Sequence, residues 1–224
     1  MSCKLFAHRG FSKSYPDIKE NTLKSFQNAI DNGFEGIELD IWYIEDQFIL
    51  NHDKPEFDIK KYDKLADLFA QCGNKIHYWI DFKGLVQIDI ESAIKRLKTT
   101  IDEHKIAYEN IFFIPGLDNK NLDQNAFAYK EIRKNFGENC NLGVFIGKIK
   151  KEDLHQYYKD LKTHKIKILS ILFKNIDEDF MDIFHDINLF AWTVNHKSEL
   201  DYLEKLGVQN IATDVLKTEN TMFL

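Results

Sequence analysis

Gly36-Ile37-Glu38-Leu39-Asp40-Ile41-Trp42 is an apolar stretch that carries two acidic residues. Its branched and aromatic side chains are typical of a strand, on which residues two positions apart point to the same side. Glu38 and Asp40 therefore face the same way, close to the end of the strand. Carboxylates at the end of a buried strand are typical of the functional face of a parallel α/β fold, where the strand C-termini meet.

Short apolar runs alternate with helical patterns on both sides of this strand. We predict strands at residues 4–7, 36–42, 76–82, 111–114, 141–146, 166–173, 189–194 and 208–212. Apolar residues at helical spacing predict helices at residues 22–32, 64–72, 86–104, 121–136, 152–163, 177–185 and 198–206. The first of these helices is capped by Asn21 or Thr22. The short run Phe48–Leu50 either extends the second strand or pairs beside it.

This alternation predicts a parallel sheet, and eight strands separated by helices predict a closed (β/α)8 TIM barrel of the α/β class. The alternative is an open doubly wound sheet, in which a Gly-rich phosphate-binding loop is common. The chain contains neither GxGxxG nor GxxxxGK. It has three prolines and no Gly/Ser-rich linker, so we expect a single barrel domain over residues 1–224.

The composition restricts the partners and the location of the protein. The chain has 36 acidic and 30 basic residues and a net charge of −6, which argues against binding to a nucleic-acid backbone. Cys3, Cys72 and Cys140 have no metal-binding spacing and are expected to be reduced thiols. The first residues contain no long apolar segment. We therefore expect a cytoplasmic protein without stable membrane insertion, acting on a small molecule.

Polar residues collect at the ends of the predicted strands. They are His8, Glu38, Asp40, Asp81, Lys83, Trp192, Asn195, Thr213 and Asp214. In a barrel all strand C-termini open on one face, so these residues are expected to converge around one mouth. Polar residues scattered over a surface would show no such preference for strand ends.

Three of these residues are candidate metal ligands. Glu38 and Asp40 repel each other unless a cation neutralises them, and Asp81 supplies a third carboxylate from the next strand. Hard cations prefer such oxygen ligands, so we predict one Mg²⁺ or Ca²⁺, with Mn²⁺ as a further option. Taken alone, the ExD pair also fits two surface acids in salt bridges, and Asp81 with Lys83 also fits an ion pair at the barrel rim.

The other candidates surround this cation. His8 and His52 each follow an apolar run, and imidazoles titrate near neutrality, as acid–base catalysis requires. Arg9 and Lys83 supply positive charge for phosphate oxygens. Two further substrate contacts have structural alternatives. Glu20 either reaches the site or is solvated beside the helix cap, and Trp192 lines the pocket or belongs to the core. Together these groups suit the cleavage of a phosphodiester.

The motifs resemble those of the glycerophosphodiester phosphodiesterase family. They are His8-Arg9-Gly10, Glu20-Asn21-Thr22, Glu38-x-Asp40, His52-Asp53, Ala191-Trp192-Thr193-Val194-Asn195, and Gly207-Val208 through Thr213-Asp214. The resemblance spans nearly the whole chain. It implies a TIM barrel, a divalent cation held by Glu38 and Asp40, and His8 and His52 as general base and acid.

The resemblance also implies a reaction. Family members hydrolyse glycerophosphodiesters to glycerol phosphate and an alcohol, and a neighbouring substrate hydroxyl is proposed to attack phosphorus to form a cyclic phosphate that water opens. Two alternatives remain. The first is a lyase resembling sphingomyelinase D or phosphatidylinositol phospholipase C, which stops at the cyclic phosphate or acts on lipid. The second is a non-catalytic binding protein on the same scaffold.

The chain departs from the family pattern in two informative places. Asp81 occurs where the family usually has Glu, which moves the carboxylate back by one C–C bond, about 1.5 Å. The stretch from Asp53 to Asp81 is short, and it lacks the small insertion with an Arg-Thr-Thr segment that helps to shape the family's substrate pocket. We therefore expect a retained catalytic floor beneath a rebuilt substrate wall.

Overall fold

The computed structural model describes residues 3–56, 58–116 and 121–217. Strands and helices alternate along these residues. The strands are β1 Lys4–Ala7, β2 Gly36–Ile44, β3 Gln47–Leu50, β4 His77–Lys83, β5 Ile111–Pro115, β6 Asn141–Ile146, β7 Ile168–Leu172, β8 Asn188–Trp192 and β9 Asn210–Thr213. The α-helices are α1 Leu23–Asp31, α2 Leu65–Cys72, α3 Ile90–Glu103, α4 Ala126–Phe136, α5 Leu154–Thr163, α6 Glu178–Ile183 and α7 Lys197–Leu206.

The strands form one closed barrel. The sheet order is β1-β9-β8-β7-β6-β5-β4-β2-β3, and β1 also pairs with β2, so the barrel is closed by the first strand, which lies between the last strand β9 and β2. Neighbouring strands of the barrel are parallel, whereas β3 pairs antiparallel with β2 on the outside. The predicted (β/α)8 barrel is confirmed, and the run Phe48–Leu50 pairs beside the second strand rather than extending it.

An aromatic and aliphatic cluster fills the barrel beneath the mouth. Its buried members are Phe6, Trp79, Phe112, Ile114, Ile168, Phe190 and Ala212. The Phe6 ring meets the rings of Trp79 and Phe190 edge-on, with centroids 6.0 and 5.1 Å away. Gly36 admits this ring, since a Cβ there would lie 2.1 Å from a Phe6 carbon. His8 and Asp81 each follow a cluster residue by two positions, so the cluster is the floor of the site.

The larger core lies between the barrel and the surrounding helices. Ile37, Leu39 and Ile41 alternate with the acids of β2 and face this layer, where α3 contributes Leu97 and Ile101. Burying each aliphatic side chain of this kind stabilises the fold by about 1.5–3 kcal/mol. The same alternation that anchors β2 on its outer face therefore turns its carboxylates into the barrel.

Some helices begin later than the sequence pattern suggests. The helix expected from residue 86 begins at Ile90, where the Asp89 side chain accepts a hydrogen bond from Ser92 N at 3.2 Å. Helices α4 and α5 also begin later, after short 3₁₀ turns. Such turns are common at helix starts, and in the turn before α4 the apolar Leu122 extends the helical pattern beyond the helix itself.

Two further expectations concern the whole chain. The extent of the domain over residues 1–224 stays a prediction, since its ends lie outside the described residues. Among the described residues, every helix is too short or too polar to reach across a bilayer.

Candidate active site

The three predicted metal ligands meet inside the mouth of the barrel. Glu38, Asp40 and Asp81 are all buried, and each offers a ligand atom within 4.8 Å of the others. Strands β2 and β4 are parallel neighbours, and their register sets Asp40 beside Asp81. The spacing along β2 brings Glu38 to the same side, and the pairing of the strands adds Asp81. The aspartate is therefore long enough to join the cluster at a position where the family usually has glutamate.

The cluster fits a hard divalent cation. Burial, and then the neighbouring Asp40 charge, raise the pKa of Glu38 to about 8. Burial likewise raises the pKa of Asp81. Asp81 Oδ1 is buried and has no hydrogen-bond partner among the described residues. Three carboxylates that repel one another, one with a free oxygen, form a donor set that Mg²⁺ or Ca²⁺ would complete.

Lys83 balances part of this negative charge. Its Nζ lies 2.6 Å from Asp81 Oδ2 and 3.0 Å from Asp40 Oδ1. Burial acts to lower the pKa of Lys83, but the charges of Asp81 and Asp40 raise it above the ordinary lysine value. The residue therefore keeps its positive charge at the edge of the cluster. Lys83 therefore forms the ion pair with Asp81 that was the alternative interpretation, and the same contact places its positive charge beside the carboxylates.

Arg9 is held over the cluster by an unusual backbone. Its φ of 54° lies in the left-handed region, and the φ of the following Gly10 is 78°. A Cβ at Gly10 would lie 2.3 Å from Ser25 Oγ, so only glycine fits there. This turn points Arg9 N at Glu38 Oε2, 2.8 Å away, and sets Arg9 Nε 3.5 Å from Asp40 Oδ2. The motif His8-Arg9-Gly10 thus has a steric explanation.

Glu20 contacts the cluster through Arg9. Its Oε1 accepts a hydrogen bond from Arg9 Nη1 at 3.0 Å, and its Oε2 lies 3.3 Å from Lys13 Nζ. Partial burial acts to raise the pKa of Glu20, but the hydrogen bond and charge of Arg9 lower it. Glu20 therefore stays ionised and fixes the guanidinium, while its predicted contact with substrate stays a prediction.

Asn21 orients one of the carboxylates. Its Nδ2 donates to Asp40 Oδ2 at 2.8 Å, and its Oδ1 accepts from Asp40 N at 3.1 Å. The helix cap is Thr22, which forms a capping box with Ser25. The sequence pattern offered Asn21 only as an alternative cap. The available signals were its place in the motif Glu20-Asn21-Thr22 and its position directly before a second possible cap residue.

The two histidines border the cluster from different segments. His8 follows β1, and its Nε2 lies 3.9 Å from Glu38 Oε2. His52 follows β3, and the N of the preceding Asn51 donates to Asp40 O at 3.2 Å, which places this segment beside the cluster. The His52 backbone oxygen accepts a hydrogen bond from Trp42 Nε1 at 3.3 Å. The His8 side chain is 18% exposed and that of His52 is 39% exposed, so both imidazoles are partly buried and that of His52 is the more accessible.

Asp214 contacts His8, whereas the sequence pattern marks it only as a residue at a strand end and in the closing motif. Its Oδ1 lies 2.8 Å from His8 Nδ1. Its Oδ2 accepts a hydrogen bond from Asn195 Nδ2 at 3.1 Å. Burial acts to raise the pKa of Asp214, but the hydrogen bond with His8 lowers it. The available sequence signal for this role was that Asp214 follows the last strand, which lies beside the first strand in a closed barrel.

Trp192 lies at the top of the barrel cluster. Its ring stacks on Phe145, with centroids 5.0 Å apart and planes inclined by 14°. It is half-buried, and its indole nitrogen is buried without a hydrogen-bond partner among the described residues. The residue packs against the core cluster and also has an exposed part, so its predicted contact with substrate stays a prediction.

A cleft of about 540 Å³ begins at Lys83. Its walls are the turn after β2, the segment after His52 and the turn after β4. The lining residues are Trp42, Tyr43, Ile44, Glu45, Lys54, Pro55, Glu56, Ile59, Lys83, Gly84, Gln87 and Ile88. Lys83 lines this cleft and also pairs with Asp40 and Asp81, so the cleft begins beside the carboxylate cluster.

Comparison with known proteins agrees with this arrangement. Glycerophosphodiester phosphodiesterases from Caldanaerobacter subterraneus subsp. tengcongensis and Bacillus altitudinis are 25% and 23% identical to the chain. Both alignments cover 96% of this chain, and they cover 95% and 82% of those proteins.

A solved structure has the same fold. The Oleispira antarctica phosphodiesterase OLEI02445, in complex with the product sn-glycerol-3-phosphate, superposes with a TM-score of 0.74 at 17% identity. The superposition covers 94% of this chain and 92% of that one. The sequence profile of the Glycerophosphoryl diester phosphodiesterase family matches residues 8–175. The chain belongs to this family, and with it to the phosphoric diester hydrolases.

Proposed function

We propose that the protein hydrolyses a glycerophosphodiester to glycerol phosphate and an alcohol, in a reaction that depends on a divalent cation. One observation carries the proposal: Glu38, Asp40 and Asp81 gather buried carboxylate oxygens within 4.8 Å of one another. Two histidines and two cationic side chains border this cluster. These are the groups that a phosphodiester needs for charge stabilisation and for proton transfer on both sides of phosphorus.

We assign the cation to Glu38, Asp40 and Asp81, and its identity to Mg²⁺ or Ca²⁺, with Mn²⁺ as the remaining option. A cation at this position would neutralise charge on the phosphoryl oxygens. The free Asp81 Oδ1 and the raised pKa of Glu38 support this assignment, because both reflect negative charge without sufficient compensation. Asn21 makes two hydrogen bonds to Asp40 and thereby fixes the orientation of this proposed ligand.

Arg9 and Lys83 are proposed to bind the phosphate oxygens. Arg9 Nε is buried and makes no hydrogen bond within the described residues, and Glu20 holds the other end of the guanidinium. Lys83 stands at the entrance of the cleft. A phosphate between them would be contacted from two sides, and fixed donors of this kind stabilise the charge that develops during phosphoryl transfer.

His8 and His52 are proposed as the proton carriers. His8 accepts the proton of the attacking substrate hydroxyl, and His52 donates a proton to the oxygen of the leaving alcohol. In the second step His52 accepts a proton from water as the water attacks the cyclic phosphate, and His8 returns its proton to the released hydroxyl. The greater exposure of His52 supports this division, because the alcohol and the water both exchange with solvent.

Glycerol phosphate is the product that the relatives favour. The Oleispira antarctica protein is described with sn-glycerol-3-phosphate as its product. The 540 Å³ cleft beyond Lys83 supports a diester whose alcohol is small, and Trp42 and Pro55 provide apolar surface for it.

The test is a substrate and metal screen. Purified protein would be incubated with glycerophosphocholine or glycerophosphoethanolamine and Mg²⁺, Mn²⁺ or Ca²⁺, and then with chelator. We expect glycerol phosphate in phosphorus NMR spectra, and loss of the reaction on chelation. A cyclic phosphate that persists would replace hydrolysis with a lyase reaction. Cleavage that is unaffected by chelation would contradict the metal dependence.

Variants test the histidines. His8→Ala and His52→Ala are each expected to lower kcat by about 10²–10⁴-fold, the usual contribution of general acid–base catalysis. His155→Ala is the matched control, because this histidine is exposed on α5 and belongs neither to the carboxylate cluster nor to the cleft lining. If the wild type cleaves diesters and both site variants match the control, the acid–base assignment is wrong. If the wild type binds diesters without cleaving them, the protein is a binding protein on an enzyme scaffold.

A further inference from the structure

We infer that Asp214 is the positioning residue of His8: it holds the imidazole in the tautomer whose Nε2 is free to accept a proton, and Asn195 holds Asp214 in place. The inference rests on the proposed function, in which His8 is the general base. It adds a further segment of the chain to the site, the turn after β9, which the sequence motifs left without a chemical role.

The geometry is a chain of contacts across the point where the barrel closes. His8 Nδ1 lies 2.8 Å from Asp214 Oδ1. Asn195 Nδ2 donates to Asp214 Oδ2 at 3.1 Å, and Asn195 Oδ1 accepts from Asp214 N at 2.9 Å. The Asn195 side chain therefore bridges the backbone and the carboxylate of Asp214. The His8 backbone is fixed as well, because His8 N donates to Thr213 O at 2.9 Å.

The chemistry of the pair determines the tautomer. An ionised carboxylate only accepts hydrogen bonds, so the contact with Asp214 requires the proton of the neutral imidazole to be on Nδ1. Nε2 is then an acceptor, on the side of the ring that faces Glu38. When Nε2 takes up a proton, the nearby Asp214 charge stabilises the imidazolium that forms. Asp214 itself needs no contact with substrate.

His52 offers an internal comparison. Its Nδ1 lies 2.9 Å from Asp53 Oδ1, but Asp53 is the next residue in the chain and its side chain is 90% exposed. The Asp214 side chain is only 18% exposed and is held by Asn195. Exposed ion pairs contribute little because solvent screens them and both side chains remain mobile. The two histidine–aspartate pairs therefore differ in how firmly each ring is fixed, and Asp53→Asn is the matched control for Asp214→Asn.

The kinetic test uses the full-length protein with its metal. We expect Asp214→Asn to lower kcat by at least about 10²-fold while KM and metal affinity stay within about twofold, because the group acts through the base alone. Asp53→Asn should change kcat by less than about fivefold. Asp214→Asn added to His8→Ala should cause no further loss, since the two residues act as one unit. If Asp214→Asn lowered kcat by the same factor in the wild type and in His8→Ala, the inference would be overturned.

A second measurement is independent of activity. Nitrogen NMR of ¹⁵N-labelled histidine should show the His8 ring with Nδ1 protonated in the wild type, and a mixture of tautomers in Asp214→Asn. Asp214→Glu keeps the charge and should keep a larger share of that tautomer. A wild-type ring with Nε2 protonated would overturn the inference whatever the variants do. An inactive wild type with the expected tautomer would refute only the proposed function, so the two failures are distinguishable.

Discussion

Replacing Glu38 by glutamine tests whether the carboxylate cluster needs a cation. The cluster keeps Glu38 buried beside Asp40, which raises its pKa from the ordinary 4.5 to about 8. This rise corresponds to about 5 kcal/mol in favour of the protonated side chain in the folded protein. Glu38→Gln keeps the shape of the protonated form and removes the ionisation, so it isolates this free energy.

The sign follows from proton linkage. A carboxyl group whose pKa is higher in the folded than in the unfolded protein stabilises the fold fully below the unfolded value of 4.5, and the contribution is lost as the pH rises towards 8. The metal-free wild type is therefore expected to lose about 3–4 kcal/mol of unfolding free energy between pH 5 and pH 8 through this group. Glu38→Gln should lack that loss and be the more stable protein at pH 8.

The assay is urea unfolding in chelator at several pH values, followed by circular dichroism. Glu152→Gln is the control, because it removes the same charge from an exposed side chain. Its stability should follow the wild type at every pH. Addition of Mg²⁺ at pH 8 should then stabilise the wild type and leave Glu38→Gln nearly unchanged. Parallel pH profiles for wild type and Glu38→Gln in chelator would refute the reasoning.

Three further substitutions test other parts of the site. Asn21→Ala removes both hydrogen bonds to Asp40 and should weaken Mg²⁺ binding by about 10–100-fold in titration calorimetry; unchanged affinity would contradict the orienting role. Gly36→Ala forces a Cβ to within 2.1 Å of the Phe6 ring and should destabilise the fold by about 1–3 kcal/mol in urea unfolding, so wild-type stability would contradict the packing. Trp42→Ala removes apolar surface from the cleft and the indole that donates to the His52 backbone, so it should raise KM and lower kcat together, whereas an unchanged kcat would contradict the link to His52.

The barrel and the convergence of its three carboxylates were predictable because both depend on local periodicity. Alternation along β2 turns Glu38 and Asp40 to one side, and Asp81 ends the next barrel strand in the same way. Parallel neighbours in a barrel expose their C-terminal ends together, so convergence followed from the topology. The register that pairs Asp40 with Asp81 was not predictable. Alternation along a strand determines which face of the sheet a side chain lies on, but not which residue of the neighbouring strand it pairs with.

The orienting residues were missed because their partners are distant in the sequence. Asn21 bonds to Asp40 across 19 positions, and Asp214 meets His8 across 206. A short polar side chain beside a helix start has a sufficient local explanation as a cap, and an aspartate after a strand has one as a turn residue. Only the closure of β9 onto β1 brings Asp214 to the first histidine.

The shortened stretch after His52 forms part of the wall of the cleft in which the substrate is proposed to bind. In place of a separate insertion, Lys54 and Ile59 and the turn between β2 and β3 form one wall of the cleft. Trp42 connects this wall to the chemistry, because its indole donates to the His52 backbone and lies against Gly84, where a Cβ would sit 2.6 Å from the ring. A substituent that displaced Trp42 would therefore also move His52. The proposed recognition of the alcohol and the placement of the proposed acid therefore depend on the same indole.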